Sequence, residues 1–134
     1  MTSPYYETFL GIRTEADAEG APFCTFDPGP TAIGREGVMH GGAVASLLEA
    51  SGFALVQQEL ERRNADASSP ARWQLVSTTV DYLRPGLAIT SFAQAEFEKL
   101  GGRSASVAAR AWNKDRAKPV ATAEMTFIFT SPEA

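Results

Sequence analysis

The sequence predicts an α+β fold in which one antiparallel β-sheet wraps around one long central α-helix. Residues 42–62 have the 3.6-residue period of a helix and are small or apolar on nearly every side. From Trp73 onward the period becomes two, which is typical of strands, and short turns separate the segments. A helix that is apolar nearly all round needs a sheet curled about it. We therefore expect a single domain spanning residues 1–134.

The predicted helix begins at about Gly42 and ends at about Arg62. One side carries apolar or small residues at the i, i+3, i+4, i+7 spacing, at positions 44, 47, 48, 51, 54 and 55. The other side is no more polar, and its small residues let a backbone or a ligand approach closely: Ala43, Ala45, Ala50 and Gly52. We expect the helix to be enclosed on most sides as far as Gln57, with Glu49 as an isolated carboxylate in that run.

The segments around the helix are shorter. Before it, residues 21–26 are predicted to form a strand that follows a turn at 17–20. Residues 9–14 are either a strand or the end of an N-terminal helix, and a loop at 28–39 leads into the central helix. After the helix, the polar segment 64–71 is expected to be a mobile connection.

Four strands are predicted after this connection, at residues 73–82, 89–100, 103–113 and 120–130. Gly101 and Gly102 are expected to form a tight hairpin turn. In the first strand, strict alternation places four residues on one face: Leu75, Ser77, Thr79 and Asp81. In the third strand, it places on one face Ala105, Val107, Ala109 and Ala111.

Composition and charge exclude several classes of function. The formal net charge of −4 and the isoelectric point near 5.0 argue against nucleic-acid binding, for which a basic face would be expected. No run approaches the ~18 apolar residues of a transmembrane helix. Residues 1–7 lack the basic and apolar regions of a signal peptide. We expect a cytoplasmic protein that binds neither nucleic acid nor a membrane.

Neither a disulfide nor a metal site is expected. Cys24 is the single cysteine, so it cannot form an internal disulfide, and we interpret it as a small buried hydrophobic residue rather than a nucleophile. His40 is the only histidine, and no group of Cys or His residues has the spacing of metal ligands.

A candidate active site combines the start of the helix with Glu49. Gly37, Gly41 and Gly42 remove side chains where the chain enters the helix, and the first N–H groups of a helix have no partner within it. At the positive end of the helix dipole, these donors can polarise a carbonyl group or hold a developing oxyanion. With Glu49 two turns deeper, the segment has the parts needed for acyl transfer to water.

Several motifs follow one another along the chain: Gly37-Val38-Met39-His40-Gly41-Gly42 with Glu49 nine residues after the histidine, Asp81-Tyr82-Leu83-Arg84-Pro85-Gly86, Gly101-Gly102-Arg103, and Ala121-Thr122-Ala123-Glu124. Together with the order of the elements, they resemble the hotdog-fold acyl-CoA thioesterases, specifically the phenylacetate-pathway (PaaI-like) group. The resemblance spans roughly residues 8–130.

The resemblance implies an assembly and a substrate. Two protomers would pair edge to edge into one continuous sheet, and two such homodimers would often form a homotetramer. The active sites would lie at the dimer interface and hydrolyse an acyl-CoA to a free acid and coenzyme A. Coenzyme A would thus be part of the substrate, and no cofactor is expected.

The resemblance also implies roles for individual residues. Glu49 would act as nucleophile or as general base on water, and the backbone N–H of Gly41 or Gly42 would polarise the thioester carbonyl. His40 belongs to the same catalytic segment. The implied substrate-binding positions are Gly34, Gly37, Arg84, Pro85, Arg103 and Ser104. Many members of the group have an asparagine six residues before the histidine, and this chain has Gly34 there.

Each residue also has a structural interpretation. Glu49 could be paired across an interface, and both Arg84 and Arg103 could be solvated turn residues. For His40 we favour a role in positioning the loop over proton transfer. The aromatic residues are interpreted as packing rather than as a substrate pocket: Trp73, Phe92, Phe97, Trp112, Phe127 and Phe129. Two alternative functions remain, a non-hydrolytic acyl-CoA-binding protein and a hotdog dehydratase or hydratase.

Overall fold

The computed structural model of the chain describes residues 11–65 and 70–130. Within these ranges there are one α-helix and eight strands, which confirms the α+β class. The helix α1 is Gly41–Asn64. The strands are β1 Arg13–Ala16, β2 Pro22–Phe26, β3 Ile33–Arg35, β4 Val38–Met39, β5 Arg72–Tyr82, β6 Ser91–Leu100, β7 Ser104–Trp112 and β8 Ala121–Thr130. A short 3-10 turn, Pro30–Ala32, precedes β3.

The sheet contains six strands in the order β1-β2-β6-β7-β8-β5, and all neighbouring strands are antiparallel. It wraps around α1, which contacts β2, β5, β6, β7 and β8. As the alternation in β7 predicts, its inward residues Ala105, Val107, Ala109 and Ala111 are buried. One edge of the sheet is the four-residue β1, and the other is β5 with 11 residues.

Residues at the two ends of α1 explain where the helix begins and where it ends. The His40 side chain caps the first turn, and the backbone of His40 is extended, with φ −71° and ψ 155°. The last turn carries Arg62 and Arg63, whose charges are favourable beside the negative end of the helix dipole. The helix therefore begins one residue earlier and ends two residues later than the predicted 42–62.

A β-bulge in β5 overturns one prediction about the sheet. The pairing of β5 with β8 shifts register between Leu75 and Ser77, so that Val76 is an extra residue in the strand. Beyond the bulge each side chain points to the opposite face from the one that strict alternation predicts. Leu75 therefore faces inward while Ser77, Thr79 and Asp81 are exposed, so the prediction that these four share a face was wrong. The half-buried residues of β5 are Trp73, Leu75, Thr78 and Val80.

The predicted loop at 28–39 contains a hairpin formed by β3 and β4. Strands of three and two residues are too short for a period to appear in the sequence. Gly37 lies in the turn of this hairpin with φ +77°, a backbone conformation that favours glycine. The predicted element at 9–14 is represented by β1, and residues 9 and 10 lie outside the described part of the chain.

The C-terminal end of α1 is tied to the β6–β7 hairpin. The Arg63 guanidinium donates hydrogen bonds to the carbonyl oxygens of Gly101, at 2.8 Å, and Gly102, at 3.4 Å. Glu59 accepts from both Arg62 and Arg63. The hydrogen bond from Arg62 lowers the pKa of Glu59, partial burial acts in the opposite direction, and Arg63 adds to the lowering. This hairpin turn confirms the prediction at Gly101 and Gly102.

The predicted connection at 64–71 is tied at its two ends. The Asn64 amide group donates to the Ala71 carbonyl oxygen at 3.0 Å, and its oxygen accepts from the Ala71 N–H at 3.1 Å. Residues 66–69, which are half of the predicted connection, lie outside the described part of the chain.

Candidate active site at the start of the central helix

His40 uses both ring nitrogens to hold the start of α1. Its Nδ1 accepts a hydrogen bond from the Ala43 N–H at 3.0 Å, and its Nε2–H donates to the Thr31 carbonyl oxygen at 3.0 Å. Its backbone N–H donates to the Ala32 carbonyl at 2.8 Å. The two ring bonds are satisfied by the tautomer with its proton on Nε2. The geometry supports a positioning role for His40.

The amides of Gly41 and Gly42 are available to a ligand. Both residues are exposed, and no residue in the described ranges accepts a hydrogen bond from either N–H. They are the first two residues of α1, where the dipole favours negative charge. On the other side of Gly41, the Tyr82 hydroxyl donates to its carbonyl oxygen at 2.8 Å. Tyr82 thus fixes this turn, a role that the sequence did not indicate although Tyr82 lies inside a recognised motif.

Gly34 is required by the close approach of β3 to the start of the helix. A Cβ atom at position 34 would lie 2.9 Å from both Cα and Cβ of His40. Because backbone atoms cannot move aside cheaply, no side chain fits there in the present arrangement. The absence of an asparagine at this position therefore goes with the close approach of β3 to His40.

We expect Gly34→Asn to destabilise the protein rather than to improve catalysis. The clash with His40 should cost about 1–3 kcal/mol, the usual range for overpacking, and should displace the helix cap. Thermal melts followed by circular dichroism measure the loss. Gly29→Asn is the matched control, because a Cβ at position 29 meets nothing within 4 Å. Equal melting temperatures for the position-34 variant and the wild type would contradict the packing argument.

The helix is enclosed on most sides, as predicted. Between residues 43 and 56 every residue of α1 is buried except Ala45, Glu49, Phe53 and Leu55. Ala45, Glu49 and Phe53 follow one another at i, i+4 spacing and continue to the half-buried Gln57. We call these four residues the open stripe. It is the one side of the helix that the sheet of a single protomer covers only in part.

Glu49 lies in the middle of the open stripe and is half-buried. Its carboxylate makes no hydrogen bond or ion pair with the residues that the structure describes. The two residues next along the stripe on either side, Ala45 and Phe53, offer it no polar partner. The carboxylate is therefore available to a substrate or to a water molecule.

Strand β5 runs antiparallel to the open stripe. Tyr82 contacts Gly41 at one end, and the Trp73 indole N–H donates to Gln57 Oε1 at 2.8 Å at the other. Thr78 lies about 13 Å along the strand from Tyr82, and Glu49 lies about 12 Å along the helix from Gly41. The two residues are therefore at the same level. Thr78 Oγ1 is a buried hydroxyl without a hydrogen-bond partner among the described residues, and no sequence pattern had pointed to it.

The predicted substrate-binding residues fall into two separate groups. Arg84 and Pro85 line a cavity of about 300 Å³ together with Gly41, Tyr82 and Arg35. Gly34 and Gly37 belong to the hairpin beside it.

The second group lies at the opposite end of the protomer. Arg103 and Ser104 follow the hairpin turn that Arg63 holds at the far end of α1. From Gly41 to Arg63 the helix rises about 33 Å. One protomer therefore does not bring Arg103 and Ser104 to the cavity that contains Arg84.

A similar distance argument separates Glu49 from the helix amides. Glu49 is eight residues after Gly41, which is about 12 Å along the axis, and the N–H groups at a helix start point away from the rest of the helix. A carbonyl bound by the Gly41 amide is thus out of reach of Glu49 in the same chain. That the two groups serve one site stays a prediction, and such a site would take them from two protomers.

Three further observations concern other classes of site and of protein. Among the described residues, no group of three or more His, Cys, Asp or Glu side chains could hold a metal ion. Cys24 is a buried cysteine whose Sγ lies 3.8 Å from Thr14 Oγ1. Over the same described ranges, no helix is both long and apolar enough to cross a membrane.

Comparison with known proteins identifies the family. Residues 36–120 match the model of the thioesterase superfamily. The chain belongs to this superfamily. A curated member, the medium/long-chain acyl-CoA thioesterase YigI of Salmonella typhimurium, is 27% identical over 127 residues, which cover 89% of this chain and 81% of that protein.

Solved structures of the superfamily's fold superpose along most of the chain. A Bacillus halodurans protein determined with CoA has a TM-score of 0.79 and 19% identity, covering 96% of this chain and 80% of that one. A Chromobacterium violaceum protein has a TM-score of 0.70 and 30% identity, and the match covers 93% of this chain and 82% of that one. The Escherichia coli PaaI protein from the phenylacetic acid degradation operon has a TM-score of 0.76 and 21% identity, and the match covers 95% of this chain and 85% of that one. The hotdog fold is confirmed, and the resemblance to thioesterases is confirmed with it.

Proposed function

We propose that this thioesterase-superfamily protein is a homo-oligomeric thioester hydrolase that converts an acyl-CoA to a free acid and coenzyme A. The observation that carries the proposal is the presence of two unengaged groups, the Gly41 amide at the positive end of α1 and the Glu49 carboxylate on the open stripe. Membership of the superfamily and the acyl-CoA thioesterase activity for which the YigI relative is named point to the same chemistry.

The site is composite, with each thioester held between two protomers. Since one helix cannot present both groups to the same carbonyl, Glu49 of one protomer would work with the Gly41 amide of its partner. A two-fold axis near Ala45 would place two antiparallel helices with their open stripes facing, which covers the stripe that one sheet leaves exposed. The long unpaired edge of β5 offers the backbone groups for a continuous sheet.

The reaction follows from these positions. The Gly41 N–H would donate to the thioester carbonyl oxygen and stabilise negative charge as the tetrahedral intermediate forms. Glu49 would take a proton from water as its oxygen attacks the carbonyl carbon, and that proton would then pass to the departing thiolate of coenzyme A. Alternatively, Glu49 attacks the carbonyl carbon directly and displaces the thiolate of coenzyme A. Water would then hydrolyse the resulting anhydride, which frees Glu49 and releases the proton that the thiolate takes up. The Thr78 hydroxyl, at the level of Glu49, could donate to its carboxylate or hold the water.

Coenzyme A is expected to be held at the protein surface. Arg84 is exposed at the rim of the cavity that contains Gly41, and a guanidinium group suits phosphate oxygens. Arg103 and Ser104 could contribute only from another protomer of the assembly, because they lie at the far end of their own chain. No cofactor has a part in this proposal.

A non-hydrolytic acyl-CoA-binding protein remains the second candidate function. Gly34 favours it, because this position offers no side chain to orient water or the carbonyl group. A dehydratase or hydratase is disfavoured, since such chemistry would use His40 as a proton donor or acceptor and both ring nitrogens already hold the loop.

Thiol release from a panel of acyl-CoAs tests the proposed activity, with sedimentation velocity as the test of assembly. We expect turnover of at least one acyl-CoA and no appreciable monomer at micromolar concentration. Coenzyme A binding without any thiol release would select the non-hydrolytic function. A monomer that still hydrolyses acyl-CoA would overturn the composite site.

A further inference from the structure

An aromatic cluster closes the far end of the open stripe. Phe53 lies one turn beyond Glu49, and its ring stacks on Trp73 with centroids 4.9 Å apart and planes at 21°. The buried Phe127 meets both rings edge to face, at 6.2 Å from Phe53 and 5.6 Å from Trp73. Such contacts hold the two stacked rings in defined positions.

Hydrogen bonding holds the Trp73 indole from a second direction. Its N–H donates to Gln57 Oε1 at 2.8 Å, and the Gln57 amide in turn donates to Glu61 at 3.3 Å. Trp73 is therefore packed on Phe53, supported by Phe127 and fastened to the helix. This makes the Phe53–Trp73 pair a rigid obstacle at the end of the stripe.

We propose that the acyl group of the substrate lies along the open stripe from Glu49 toward Phe53, and that the Phe53–Trp73 pair is the wall that limits its length. The inference rests on the proposed function, and it changes the interpretation of Trp73 from packing to substrate selection. The surface on this side of Glu49 is apolar and aromatic, which suits a hydrocarbon chain.

In the two-fold arrangement, the direction from Glu49 toward Phe53 is the one that is open to the acyl group. From Glu49 toward the helix start, the stripe passes Ala45 and reaches Gly41, which belongs to the symmetry-related second site. Phe53 is about 6 Å from Glu49 along the helix axis, and Gln57, which holds Trp73, is about 12 Å from it. At bond lengths of about 1.5 Å, the ring pair stops an extended acyl chain after roughly four to eight carbons. The preferred substrates are therefore short and medium unbranched acyl-CoAs.

Chain-length profiles test the wall. For the wild type we expect kcat/KM to rise by up to about fourfold for each buried methylene from acetyl- to hexanoyl- or octanoyl-CoA, and to fall at palmitoyl-CoA. Phe53→Ala opens the wall, so the ratio of palmitoyl-CoA to hexanoyl-CoA turnover should rise at least about tenfold, the gain of two buried methylenes. Thermal melts establish that the variant folds.

The chain offers a matched control on the outer face of the sheet. Phe92 stacks on Trp112 with centroids 5.9 Å apart and planes at 28°, and both rings are half-buried like Phe53 and Trp73. Phe92→Ala removes an equivalent ring far from the stripe and should leave the profile unchanged. If the chain-length profile shifts equally in both variants, the Phe53–Trp73 pair is not the wall, because a general loosening of the protein would then explain the shift.

A second variant keeps the test decisive if Phe53→Ala does not fold. Gln57→Ala keeps both rings and removes the hydrogen bond that fastens Trp73, together with the one that the Gln57 amide donates to the exposed Glu61. It should therefore shift the profile toward longer chains in the same sense. If the wild type turns over acyl-CoAs and neither folded variant changes the chain-length profile, the Phe53–Trp73 pair does not limit chain length, while the proposed function still holds. If the wild type hydrolyses no acyl-CoA, the proposed function fails. The length limit set by the Phe53–Trp73 pair is then tested separately, by comparing the affinities of non-hydrolysable acyl-CoA thioethers of increasing length.

Discussion

Glu49→Gln is expected to lower kcat/KM for acyl-CoA hydrolysis by at least ~100-fold, the range usual for loss of a general base. Glutamine keeps the shape of the side chain but neither accepts a proton nor attacks a carbonyl group. Because Glu49 is half-buried and has no partner among the described residues, its replacement breaks no internal pair. Melting temperature and coenzyme A affinity should therefore remain near those of the wild type. Thiol release, thermal melts and calorimetry measure the three quantities.

Glu96→Gln is the matched control, because Glu96 is an exposed carboxylate on the outer face of the sheet in β6. It should turn over substrate at the wild-type rate. Wild-type turnover by Glu49→Gln would remove Glu49 from the reaction. A parallel loss of coenzyme A binding would instead indicate that this carboxylate organises the site rather than performing chemistry.

Gly41→Pro is expected to lower kcat by roughly 100- to 1000-fold, as found when one oxyanion donor is lost. Proline removes the N–H of the first helical residue, a position where helices accept proline readily. The residue before a proline must be extended, and His40 already is, with ψ 155°. The substitution should therefore delete one donor while α1 still forms.

Gly41→Ala separates the missing donor from crowding. Alanine adds the same Cβ atom, 3.2 Å from the Tyr82 hydroxyl oxygen, but it keeps the N–H. Turnover of the alanine variant should stay close to the wild-type rate. An equal loss in both variants would show that contact with Tyr82, and not the amide, explains the effect.

The two inactive variants together test whether the site is composite. In a dimer of one Glu49→Gln chain and one Gly41→Pro chain, one of the two composite sites has both groups intact. Random assembly of equal amounts should therefore recover about a quarter of wild-type activity. Co-expression with two different tags yields the mixed protein. If each chain built its own site, every site would carry a lesion and no activity would return.

Much of the fold could be predicted because its signals are local. Helix α1 and the four strands after it have apolar periods that a short window of sequence contains. The bulge at Val76 could not be found this way, because a one-residue shift is defined only by the pairing of β5 with β8. The β3–β4 hairpin was missed because its strands are too short to show a period.

The candidate site, like the fold, has a part that local sequence signals predict and a part that they do not. By itself, the sequence determined which groups are the candidates for the chemistry, because a glycine-flanked helix start and a lone carboxylate in an apolar run can be recognised without coordinates. Only the tertiary structure decided how they are arranged. The length of α1 separates Gly41 from Glu49 by about 12 Å, and the incomplete wrap of the sheet exposes the stripe. The contacts of Tyr82, Thr78 and Trp73 depend on how β5 lies beside the helix, which no local pattern contains.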